Sequence, residues 1–146
     1  MRSRLLNPAP ERTYAVVLDP GDEPIDCLTR LARDERLDAA RFTGIGAFSD
    51  AVLGFFDLER KDYARIPVGE QVEVVSLVGD VALGPDGAPQ LHAHAVLARR
   101  DGSACGGHLL EAHVRPTLEV MLVESPSRLQ RRIDPATGLA LIDLDW

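Results

Sequence analysis

From residue 39 to Pro126 the chain is one strand-type run after another, and this succession constrains the fold more than any other feature. Arg41–Phe48, Ala51–Asp57, Val72–Leu83, Leu91–Ala98, Ala104–Val114 and Thr117–Glu124 have strand composition, with Val72–Leu83 reading as one strand or as two bent at Gly79. Gly44 and Gly46 interrupt the first run, where glycine commonly marks a bulge or a close backbone approach. Pro85-Asp86-Gly87 is a turn, and strands joined by such short loops pair antiparallel. Ahead of this region lie a strand at Thr13–Leu18, a turn at Asp19–Asp22 and one helix. Pro24 suits the helix's first turn, Asp22 and Glu23 complement its dipole, and Ile25, Leu28, Leu31 and Ala32 recur on one face. Arg30, Arg33, Asp34 and Glu35 fall on the other side. The expected class is α+β, a strand-rich and mainly antiparallel sheet packed with one main helix.

The length of 146 residues fits one domain, 1–146, with no linker or internal repeat to divide it. The formal net charge of −7 argues against unaided binding to a polyanion, since proteins that neutralise phosphates carry a basic face. The one local basic cluster, Arg128, Arg131 and Arg132, reads as solvated surface. No apolar run approaches the roughly 18 residues of a membrane span. Met1–Pro8 is basic with no apolar segment behind it, so no secretory signal is expected. Cys27 and Cys105 form no framework, which suggests a reducing, cytoplasmic setting.

Four histidines fall between residues 92 and 113, and their spacing carries the chemistry. Side chains alternate along a strand, so His92 and His94 share one face while Leu91, Ala93, Ala95 and Leu97 take the other. Arg100-Asp101-Gly102 fits a three-residue hairpin loop with Gly102 in the left-handed position. In that register, residues whose numbers add to 202 stand opposite one another, which sets His108 across from His94. Cross-strand neighbours approach to about 4.5–5.5 Å between β-carbons, so three imidazoles converge. Such a set suits a divalent metal with coordination positions left open. Zinc is the first expectation, with iron, nickel and manganese as alternatives. His113 lies five residues from His108 and points to the opposite face.

Gly106 and Gly107 weaken the strand just before His108. Two readings are open: a ligand or another chain approaches the metal closely, or a bulge redirects the strand and breaks the hairpin register. Glu73 and Glu119 interrupt apolar strands and are candidates to orient a histidine, to complete the site or to accept a proton. Glu119 is the stronger candidate, because its strand follows that of His108. No nucleophile–base pair is legible, so any activity would be metal-dependent chemistry on a small molecule.

Thr43-Gly44-Ile45-Gly46-Ala47-Phe48-Ser49-Asp50-Ala51, Glu73–Gly79, Leu91-His92-Ala93-His94, Gly106-Gly107-His108-Leu109-Leu110 and Thr117-Leu118-Glu119-Val120 occur in the order seen in the plants and prokaryotes conserved (PPC) domain. The resemblance covers roughly residues 12–125, leaving 126–146 as a C-terminal extension. It implies an antiparallel sheet with a helix, a homotrimer, and metal binding at His92, His94 and His108. It further suggests that the apolar Gly138–Ile142 covers a neighbouring subunit. Family members often carry a DNA-binding or regulatory label, but the AT-hook that contacts DNA in plant members has no counterpart in this sequence. A cupin-like metalloenzyme is a second alternative. A cupin would place a glutamate a few residues after His-x-His, where this chain has Arg99 and Arg100.

Overall fold

The computed structural model describes residues 1–7 and 11–145, with residues 2–7 described by their backbone; Pro8, at the end of the basic lead, lies outside this set. Among the described residues, nine strands and one helix follow in the order β1 (Arg2–Asn7), β2 (Thr13–Leu18), α1 (Pro24–Asp34), β3 (Ala39–Asp57), β4 (Asp62–Val68), β5 (Val72–Leu83), β6 (Pro89–Ala98), β7 (Ala104–Glu124), β8 (Gln130–Ile133) and β9 (Ala140–Asp143). All strand pairs are antiparallel except β5–β8. The expected α+β class is the observed one. No helix among the described residues is long and apolar enough to cross a membrane.

The helix starts where its sequence directs. The Glu23 side chain accepts a 2.7 Å hydrogen bond from the Asp26 amide as N-cap, and Pro24 follows in the first turn. Leu28, Leu31 and Ala32 are buried with Pro24 and Cys27, while Ile25 packs at the edge of the same core.

Two pairs of expected strands are single long ones. Arg41–Phe48 and Ala51–Asp57 are continuous in β3, and Ala104–Val114 and Thr117–Glu124 are continuous in β7. β3 and β7 pair with each other over most of their lengths, and repeated register shifts between Gly46 and Leu53 let both bend. The pairings β3–β5, β5–β6, β6–β7 and β7–β3 return to the starting strand, so this part of the sheet closes on itself. Phe42, Phe48, Leu53, Leu77, Leu97 and Leu118 fill the core.

The opposite face is laid out by register. His108, His94, Val78, Thr43, Met121 and Ala15 stand in a row, each paired with the next across the ladder. Of these, His94, Val78, Thr43 and Met121 are exposed. The histidine region is therefore continuous with an uncovered apolar stretch of sheet.

Strands β1, β4, β8 and β9 have no counterpart among the strands expected from the sequence. β4 is exposed along nearly its whole length and contains Pro67, so its burial does not alternate as in a half-buried strand; among the described residues it pairs only with β3. Gly138–Ile142, which the family resemblance assigned to a neighbouring subunit, runs partly into β9, and β9 pairs with β8 of the same chain.

Candidate metal centre

The hairpin register is the one read from the turn. Ala98↔Ala104, Leu97↔Cys105, Val96↔Gly106, Ala95↔Gly107 and His94↔His108 pair without interruption, and Gly102 has φ 82°. Ala93, Ala95 and Leu97 are buried, which turns His92 and His94 outward. His92, His94 and His108 offer ligating nitrogens that all lie within 4.8 Å of one another. Their ring centroids are 5.1–5.4 Å apart. The Nε2 atoms of His92 and His94 are 3.2 Å apart. Two nitrogens bound tetrahedrally to one zinc stand about 3.3 Å apart, given zinc–nitrogen bonds of about 2.0–2.1 Å. His108 adds a buried Nδ1 with no hydrogen-bond partner among the described residues. Nitrogens at this spacing and a buried polar atom left over fit a divalent metal better than a self-sufficient hydrogen-bond network.

Burial favours the neutral form of His92 and His108, the form that metal ligation requires. The His108 pKa is lowered to about 4, first by burial and then by His92 and His94. His92 is also lowered, chiefly by burial, against an opposing pull from Asp80. An unfolded histidine titrates near 6.5, so between there and about 4 the unfolded chain binds more protons than the folded one. The metal-free protein is therefore expected to be fully stabilised at this site above about pH 6.5 and to lose stability as the pH falls toward 4. Urea midpoints across that window check this. A His108→Phe variant, which keeps a ring against Tyr63, should show a shallower decline, and an equally steep one would refute the assignment to His108.

The surroundings of the trio come from residues that the sequence reading passed over. Tyr63 of β4 stacks on His108, with centroids 4.6 Å apart and planes at 22°. Gly54, the partner of His108 on β3, makes room for it: a β-carbon there would stand 2.7 Å from Tyr63 Cδ1. Asp80 lies opposite His92, with Oδ2 3.8 Å from His92 Nδ1, and its other oxygen accepts from Arg131. The signal for Asp80 was present, because a turn centred on Asp86 pairs residues whose numbers add to 172. Arg131 is buried in this ion pair, which corrects its reading as solvated surface; Arg128 and Arg132 do remain exposed.

Glu73 and Glu119 do not join the trio. Glu73 stands opposite Ala98, roughly 13 Å along β6 from His94 at normal strand rise. Glu119 faces Val17 and Ile45, on the far half of β7. Both are exposed; Glu119 shares β7 with His108 only at a distance, and Glu73 lies on β5, which carries no histidine. For Gly106 and Gly107 the hairpin register is intact, so the bulge reading does not hold there, and this chain's own backbone crowds both positions. A β-carbon on Gly107 would stand 2.8 Å from the Gly54 carbonyl oxygen, and one on Gly106 3.1 Å from that of Ala95. The nearest irregularity is in the pairing with β3, where Leu110 of β7 is the extra residue between Val52↔Glu111 and Leu53↔Leu109. His113 lies outside the cluster, with its Nδ1 2.8 Å from Asp50.

The model of the Plants and Prokaryotes Conserved (PCC) domain, the family called PPC above, matches residues 6–126. Among solved structures, a plant- and prokaryote-conserved protein from Pyrococcus horikoshii is 34% identical, with TM-score 0.85 and coverage of 90% of this chain and 91% of that one. A protein from Ralstonia eutropha, provisionally described as DNA-binding, is 35% identical, with TM-score 0.83 and coverage of 90% of each chain. A metal-containing protein from Archaeoglobus fulgidus is 33% identical, with TM-score 0.82 and coverage of 89% of this chain and 91% of that one. No curated protein matches the chain.

Proposed function

The chain belongs to the Plants and Prokaryotes Conserved domain family, and from that premise we propose that it is a homotrimeric, cytoplasmic metal-binding protein whose metal accepts a small ligand. The observation that carries this reading is the convergence of His92, His94 and His108 at ligand spacing on one face. The metal-containing relative from Archaeoglobus fulgidus supports it. Zinc is compatible with the 3.2 Å spacing of the His92 and His94 nitrogens, and with three protein ligands it would supply Lewis acidity at an open position. The chain's own residues prepare that position. Tyr63 shields one face of His108, while Asp80, fixed by Arg131, stands behind His92 and orients its ring.

Self-association is supported by the apolar stretch beside the histidines, where Ile45, Val75, Val78 and Met121 are 45–63% exposed. The family match displaces the cupin alternative. DNA binding has the Ralstonia relative in its favour, but each arginine of the basic cluster already faces a carboxylate: Arg128 has Asp38, Arg131 has Asp80 and Arg132 has Asp143. Elemental analysis of the purified protein together with light scattering tests the proposal. One zinc per chain and the mass of three chains are expected. Metal at background level would refute the metal site, a monomeric mass would refute the trimer, and a DNA complex that survives about 150 mM salt would favour the alternative.

A further inference from the structure

A cavity of about 210 Å³ opens beside the histidine cluster, bounded by His92 and His108, by Arg131, and by the apolar surfaces of Tyr63, Leu91 and Leu139. Arg131 is only 4% exposed. Its Nη2 donates to Asp80 and its Nη1 donates to the Ala140 carbonyl oxygen at 3.3 Å. Its Nε is buried with no partner among the described residues. A buried guanidinium donor without an acceptor is costly and uncommon, and the side chain that carries it lines this cavity.

We propose that this cavity takes a short-chain carboxylate, which accepts a hydrogen bond from Arg131 Nε within reach of the metal held by the three histidines. The inference rests on the metal reading above and names its ligand class. Charge favours an anion: imidazole ligands are neutral and Arg131 is balanced by Asp80, so the dication's charge is left uncompensated at this wall. Size limits it, because 210 Å³ is on the order of seven water volumes and falls below the range of larger ligand pockets. The apolar wall separates an organic acid from an inorganic oxyanion. Leu91, Leu139 and the ring of Tyr63 can cover a short aliphatic chain, which phosphate lacks, while Gln90 is the polar side chain on the same lining.

Calorimetric titration of the zinc-loaded full chain with butyrate, and separately with inorganic phosphate, tests this. Wild type is expected to bind butyrate more tightly than phosphate. Arg131→Gln should weaken butyrate about tenfold or more, the usual loss for a hydrogen bond to a charged group. Because Arg131→Gln also breaks the pair with Asp80, Leu139→Trp serves as the second variant: it narrows the cavity without touching the histidines or that pair, and should weaken butyrate likewise. Leu139→Trp should retain the wild-type zinc content, whereas Arg131→Gln, which releases the carboxylate behind His92, is titrated at a zinc concentration that keeps its site filled. Zinc bound normally with no heat from millimolar butyrate, with phosphate preferred, or with butyrate affinity unchanged in Leu139→Trp would overturn the carboxylate proposal alone. A wild type that binds no zinc would instead remove the metal reading, and this inference with it.

Discussion

A His92→Ala/His94→Ala variant is expected to lose its metal entirely under conditions where wild type carries one ion per chain. The two residues offer two of the three candidate ligating nitrogens, and their Nε2 atoms are 3.2 Å apart. Losing an outer-shell partner alone typically costs about 10–100-fold in affinity, and removal of two ligands should far exceed that. Folding should be little affected, because His94 is exposed and His92 is half-exposed, whereas Ala93 and Ala95 between and beside them hold the core face. Metal content by elemental analysis beside a thermal melt separates the two effects. Equal metal in variant and wild type would rule out this site.

An Asp80→Ala variant should show both a stability defect and a metal defect. Asp80 is the carboxylate partner of buried Arg131, and removing one member of a fully buried pair costs about 3–5 kcal/mol. Asp80 is about one-third exposed, so the expected loss is at the lower end, about 3 kcal/mol, read by urea denaturation. The same carboxylate backs His92, so metal affinity should fall about 10–100-fold. An Asp80→Ala/Arg131→Met double variant distinguishes the two roles. It removes the stranded charge and should recover much of the stability while metal affinity stays low. Full recovery of metal affinity in the double variant would mean that Asp80 acts only through Arg131 and does not orient His92.

The sequence alone determined what lies within reach of a tight turn. Strand alternation set His92 and His94 on one face, and the Arg100-Asp101-Gly102 loop fixed His94 opposite His108, because a short hairpin leaves one register open. The helix was legible for a similar reason, its cap and apolar face being local features. What the tertiary structure decided is everything brought in from a distance. Tyr63 comes from an exposed edge strand without alternation, and Arg131 comes from a short strand that pairs in parallel with β5 across a long connection. Glu119 looked near His108 because their strands are adjacent in sequence. They are in fact the two halves of one bent β7, whose length carries Glu119 away from the histidines. Periodicity and turns specify neighbours along and across a hairpin, but the closure of a bent sheet depends on the summed packing of all its strands, which no local pattern encodes.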